Sequence, residues 1–417
     1  MCVGIAAGFL LTDGDVIGLA IASIGVAVAM AASYFIVPKE ARAIVLPIVM
    51  FAVLIRIAAA VVLYDALVAA GRGGFVTGDD AGYANISARL ARILHGETAP
   101  FVYATEGYLL GTFVYLETAI FYLLGPKALF VELLNAAMGG LLVTFAFDIA
   151  RRLSGNARAG VIAGALVAVY PSLVLWSALN LKDSLALLLI AIVLWLLVVF
   201  QATPRLWLVP VMFIALLPID SLRTYIFMGL SLVIPVSVAV TPRPGRERTV
   251  MTALAVGLSI LFLATQSNPT GLGSLADLDA ERNAMGFGAN TSFGDQPFPI
   301  RAIYVLLAPF PWSPRRLLDL LRVPEMLLWY VALAGAFVVV ARGSASWRRL
   351  APLALFIVGT MTVFVLAEGN VGTLFRHRAM VVPFVLILAA PTLASALTVV
   401  VGRFRPLSQS RGPELAQ

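Results

Sequence analysis

The chain has a single cysteine, Cys2, in 417 residues, which excludes any disulfide framework within it. Histidine is almost as scarce. His95 and His377 are too few and too far apart to point to a metal centre. Charge is thin as well: 12% of residues are charged, against about 25% in soluble proteins. That shortage excludes a water-soluble enzyme. Lysine occurs only at 39, 127 and 182 among 29 basic residues. The net charge of +7 comes with no basic face or stacking motif, so nucleic acid is not an expected partner. No repeat of solenoid period is visible, and no positive residue precedes the first apolar run, which argues against a cleavable signal peptide.

Apolar residues fill the space. They make up 61% of the chain, and the mean hydropathy is +0.98, far more than a disordered coil can leave in water. The expectation is an all-α integral membrane protein, with residues 1–417 forming one polytopic domain. A crossing helix needs about 20 apolar residues. That ruler gives about eleven transmembrane helices, near 16–37, 43–70, 128–150, 159–177, 184–201, 206–219, 224–241, 249–266, 324–341, 351–367 and 379–401. Alternate loops (38–42, 151–158, 201–205, 242–248, 342–349 and the tail from 403) hold 15 of the 29 basic residues, so that face is assigned to the cytoplasm. The alternation requires 108–125, with Glu117 at its middle and three tyrosines, to lie in the membrane plane rather than cross. Abundant alanine and the preference for arginine over lysine suggest a GC-rich bacterial genome, and so a bacterial cytoplasmic membrane.

Polar chemistry then collects outside the cytosol. Residues 71–127 form a first extracytoplasmic loop and 266–323 a second, each with amphipathic or in-plane juxtamembrane helices. In the first, Thr77-Gly-Asp-Asp-Ala-Gly-Tyr83 opens a helix. Thr77 with Asp80 three residues on fits an acidic capping box, so the acids have either a structural role at the helix's positive end or a role as general base. Around Glu368, the sequence Arg376-His-Arg378 places positive charge on the face expected to have little. A phosphate suits those guanidinium forks, and so does pairing with Glu368, Asp183 or Asp220. Arg56 is the one base deep in a span, which raises a functional hypothesis against simple pairing with a neighbouring helix.

The run Gly78-Asp-Asp-Ala-Gly-Tyr83 followed by Ile86-Ser-Ala-Arg-Leu-Ala91 resembles the first outer loop of GT-C-type membrane glycosyltransferases, above all the dolichyl-phosphate-mannose protein mannosyltransferase group and its bacterial relatives. Ala150-Arg-Arg-Leu-Ser-Gly155 and Tyr170-Pro-Ser-Leu-Val-Leu-Trp-Ser-Ala-Leu-Asn-Leu-Lys-Asp183 are similar to that group's cytoplasmic turn and the approach to its second acidic loop. The likeness covers 43–201 best. It implies a GT-C-like fold, a polyprenyl-phosphate-linked sugar as donor, and a glycan, lipid or protein acceptor met outside the cytoplasm. It also implies a catalytic carboxylate at Asp79 or Asp80, with Asp80 preferred, and a further acid at Asp183.

Chemistry of that kind calls for a carboxylate at the membrane boundary and fixed cations for the departing phosphate. Arg223, Arg376, His377, Arg378, Lys182, Tyr83, Arg301 and Arg282 are the candidate substrate-binding residues. No cofactor is indicated, and a divalent metal ion on neighbouring carboxylates stays open. Two other readings stand beside this one. A polysaccharide polymerase or ligase acting on diphosphate-linked glycans would lean on Arg282, Arg301 and the arginines flanking His377. A lipid-linked oligosaccharide flippase or transporter would need a central cavity with several intramembrane charges.

Overall fold

A computed structural model describes residues 15–98, 110–241, 245–264, 292–312, 322–343 and 346–403, and they are helical with short connections. The helices in order are α1 (Val16–Ile36), α2 (Lys39–Ala69), α3 (Gly78–Leu94), α4 (Thr112–Leu124), α5 (Ala128–Ser154), α6 (Ala157–Val169), α7 (Pro171–Ser177) and α8 (Asp183–Ala202). They continue with α9 (Leu208–Leu222), α10 (Thr224–Ala239), α11 (Gly245–Ala264), α12 (Phe298–Leu307), α13 (Val323–Ala341), α14 (Trp347–Ala367), α15 (Val371–Arg378) and α16 (Val382–Arg403). In their described residues all eleven expected segments are largely helical, but the count of eleven spans does not carry over. Among the described residues seven helices are long and apolar enough to cross a membrane, or nine if two bent pairs each count as one span. The difference lies in α9 and α10, of 15 and 16 residues, which are short against the roughly 20 that a span needs.

Helix α5 is the hub. It packs against α1, α2, α6, α8 and α16, and small residues let its neighbours approach closely. A Cβ on Gly140 would come within 2.9 Å of the backbone N and Cα of Val53 on α2. Polar side chains inside the bundle find partners, as when Ser33 of α1 meets Thr144 of α5 at 2.6 Å.

One of the bent pairs explains Arg56. Helices α6 and α7 meet at 56°, where Pro171 supplies no N–H to the Val167 carbonyl. The buried Arg56 guanidinium of α2 takes over. Its Nη2 donates to Val167 O at 2.9 Å, and its Nη1 donates to Ala168 O at 2.8 Å and Ala52 O at 3.0 Å. The intramembrane arginine thus holds a broken helix together.

Helix α4 is 13 residues long, about 20 Å at 1.5 Å per residue and so shorter than a hydrocarbon core. It lies against α3. His95 stacks on Tyr122 with ring centroids 4.3 Å apart, and Thr112 N donates to Ser221 Oγ at 2.9 Å, tying the start of α4 to the end of α9. The arginine-bearing connections share one end of the bundle. Gln201 donates to Arg348 O at 2.7 Å, and Pro38, Arg151 and Arg158 line one cavity there. The turns before α3 and α8, the α9–α10 junction and the α14–α15–α16 connection gather at the other end.

Candidate active site

Five junctions deliver six side chains to one chain of contacts. Asp79 comes from the first turn of α3, Asp183 from the first residue of α8, and Arg223 from the break between α9 and α10. Glu368 closes α14, and Arg376 and His377 end α15. Arg376 stands at the centre. Its Nη1 donates to Asp79 Oδ2 at 2.7 Å, and its Nε and Nη2 donate to Asp183 Oδ2 at 2.8 and 2.7 Å. Arg223 Nη2 holds the other oxygen of Asp183 at 2.5 Å, while its Nη1 lies 3.1 Å from His377 Nε2. His377 Nδ1 meets Glu368 Oε1. Because a guanidinium only donates, Nε2 must accept, which puts the imidazole proton on Nδ1, toward Glu368. In that tautomer His377 positions Arg223.

The formal charges cancel. Asp79, Asp183 and Glu368 face Arg223, Arg376 and Lys182. Asp183 is 4% exposed at its side chain and gripped by two guanidinium groups, whereas the Asp79 side chain is 59% exposed and uses only Oδ2 among the described residues. Lys182 is engaged by no carboxylate among the described residues. Its ammonium sits 5.8 Å from the Tyr83 ring, and burial, with Arg223 adding to it, brings its pKa down to about 8. Tyr83 packs edge-on against Phe113 at 5.4 Å. Burial, reinforced by Asp79, pushes its phenol up to about 12.

Asp80 departs from the preference for it as base. It is buried, and its carboxylate accepts from Val76 N at 2.7 Å, Thr77 N at 2.9 Å, Thr77 Oγ1 at 3.0 Å and Ala81 N at 2.9 Å. That is the capping box, and it leaves the residue no face toward Arg376. Of the paired acids, Asp80 takes part in the cap and Asp79 faces the cations. Arg378 departs too. It points the other way, donating to Ala308 O at 2.5 Å and Met326 Sδ at 3.0 Å, and lies 5.1 Å over the Trp329 ring. Trp329 and Tyr330 donate to Leu306 O and Leu307 O at 2.7 and 2.6 Å, so together the three side chains cap the C-terminal carbonyls of α12. Arg301 lies near the start of α12, which packs beside α15. Arg282 lies outside the described residues.

Two residues of the site's frame escaped the sequence reading as contributors. Glu117 of α4 is fully buried. It accepts from Ser87 Oγ of α3 at 2.8 Å and from Asn180 Nδ2 at 2.7 Å, and the same Asn180 amide reaches Asp80 O at 3.3 Å. This joint locks the Asp79 helix to the turn that presents Lys182 and Asp183. Burial pushes the Glu117 carboxyl up to about 7 against the pull of its two hydrogen bonds. Its signal in the sequence is a lone acid in an apolar helix. The stretch just before α12 is also anchored here. Phe293 N donates to Gly369 O at 2.9 Å, next to Glu368, and the Phe293 ring stacks on Tyr304 at 5.2 Å. Among the described residues no group of three His, Cys, Asp or Glu side chains converges as metal ligands.

With that geometry in view, residues 112–267 match the family model described as dolichyl-phosphate-mannose-protein mannosyltransferase. Over that segment the chain resembles this family. The archaeal oligosaccharyltransferase AglB from Archaeoglobus fulgidus, solved in complex with an inhibitory peptide and a dolichol-phosphate, is similar over 89% of this chain, with a TM-score of 0.52 and 14% identity. The fold is of the GT-C type. This chain spans about half of that protein, 52% of its length, and at such identity the likeness is one of architecture. No curated protein sequence matches the chain.

Proposed function

We propose that the chain is a GT-C-type glycosyltransferase that moves a sugar from a polyprenyl-phosphate carrier to an acceptor hydroxyl or amide, with the Asp79–Arg376–Asp183 cluster at its centre. The carrying observation is Arg376, which bridges an exposed carboxylate and a locked one. Such a charge needs only a modest swing to exchange a carboxylate partner for a phosphate. In this reading the free Oδ1 of Asp79 takes the acceptor's proton. The acceptor's heteroatom forms a bond to the anomeric carbon, and the bond from that carbon to the phosphate oxygen breaks. The phosphate keeps the electron pair, stabilised by Lys182 and Arg376. Asp183, held between two arginines, orients them and stays ionised.

The positive-inside rule places the arginine-rich end in the cytosol, so the cluster faces outward in a bacterial cytoplasmic membrane. Proximity to the membrane boundary suits a donor that is mostly hydrocarbon. The acceptor is a glycan, lipid or protein presented on that face. The experiment is transfer of labelled sugar from a polyprenyl-phosphate donor to membrane acceptors by the purified protein in liposomes. Activity that depends on Asp79 and on Arg376 supports the reading. Full transfer by Asp79→Asn removes Asp79 from the role of base.

A further inference from the structure

At the end opposite the cluster, α2, α5, α6 and α16 line an open cavity of about 730 Å³, within the range of small-molecule sites. Its walls are largely apolar, with Ile44, Val161 and Leu397 among them. Three charged side chains also line it: Glu40, Arg151 and Arg158. Arg151 is already committed, donating to Asp148 Oδ1 at 2.6 Å while Arg152 and Trp195 hold Oδ2 at 2.5 and 2.8 Å. Glu40, in the first turn of α2, and Arg158, in the first turn of α6, are both exposed, and neither side chain is paired among the described residues. Opposite charges therefore share one apolar cavity without meeting each other.

We infer that this cavity binds an aminophospholipid, a lipid whose head group carries both a phosphodiester and a primary ammonium. The phosphodiester answers Arg158, lying at the N-terminal end of α6 where an anion is favoured, and the ammonium answers Glu40. Acyl chains run along the apolar walls. A purely anionic head group would satisfy Arg158 but meet Glu40 as a like charge. The site is separate from the sugar-transfer cluster. The length of α5, 27 residues or roughly 40 Å, lies between the two ends.

The test is native mass spectrometry of the delipidated full-length protein titrated with phosphatidylethanolamine or phosphatidylglycerol. The wild type should retain the ethanolamine lipid in preference, by about tenfold, the equivalent of 1.4 kcal/mol. Glu40→Gln should abolish that preference by admitting the glycerol lipid equally well. Arg158→Gln should weaken retention of both lipids. Because both side chains are exposed and unpaired, melting temperatures should not change, which separates lost binding from lost folding. Equal retention of the two lipids by the wild type, no retention of either, or a preference that survives both substitutions would each overturn the inference.

Discussion

Asp79 and Asp80 are neighbours in sequence, yet one turn of helix sends them to different chemistry. The Asp80 carboxylate takes four hydrogen bonds from residues 76, 77 and 81, while Asp79 reaches across the fold to Arg376. Asp79→Asn should therefore cut transfer by at least about 100-fold, the low end for a lost general base, with an unchanged melting temperature. Asp80→Asn keeps one oxygen for the cap. It should retain activity and lose about 1–3 kcal/mol of stability, because its amide nitrogen cannot accept from Val76 N, measurable by thermal unfolding in detergent. Lys182 carries a second prediction at this scale. With its pKa down at about 8, its positive charge is present below that pH and lost as pH rises through it. Transfer kcat should then fall above pH 8, as the departing phosphate loses that charge, and Lys182→Arg should keep kcat flat to higher pH.

Among the helices, two joints decide the geometry. At the α6–α7 break, Arg56→Leu leaves the Val167 and Ala168 carbonyls without their donors, at about 1–3 kcal/mol for each buried group. Pro171→Ala would restore an N–H to Val167 O. The double variant should lose less than the two single effects predict, by about 1 kcal/mol in a thermodynamic cycle. At the α3–α4 joint, Glu117 is an acid whose pKa rises on folding, from 4.5 to about 7. Its contribution is therefore fully present below the unfolded value and fades as pH climbs through 7. That amounts to roughly 3 kcal/mol at most. Stability should fall between pH 5 and pH 8, and Glu117→Gln, which can still accept from Asn180, should flatten that slope. An unchanged slope in the variant would mean that another group governs it.

Over the whole molecule, the two ends carry different electrostatics. One end gathers arginines in excess of acids, in connections such as 151–158, where Asp148 holds two of three, and 342–349, which has no acid. The other gathers arginines that are matched to acids, in Asp79–Arg376–Asp183–Arg223. Arg223 and Arg376, which the proposed topology sets on the outward face, are each held there by a carboxylate. With Cys2 replaced by serine, a single cysteine placed at Ser346 should be protected from membrane-impermeant maleimide in intact cells. One placed at Gly78 should react. The reverse pattern would invert the proposed topology.

Much of the architecture was readable from the chain alone, because a hydrocarbon solvent leaves helices as almost the only choice and their apolar lengths mark them out. The described residues of the expected spans are largely helical for that reason, and the Thr77–Asp80 capping box is a matter of local spacing. Local spacing could not say how many of those helices cross, since α9 and α10 fall below span length and Pro171 splits another. Nor could it assign partners. Arg376, His377 and Arg378 look equivalent in sequence, but α15 turns the first two toward Asp183 and Glu368 and the third into the end of α12. Which carboxylate meets a cation, and which arginine props up a broken helix, depends on contacts more than a hundred residues apart. Only the packed bundle brings those groups within hydrogen-bonding distance.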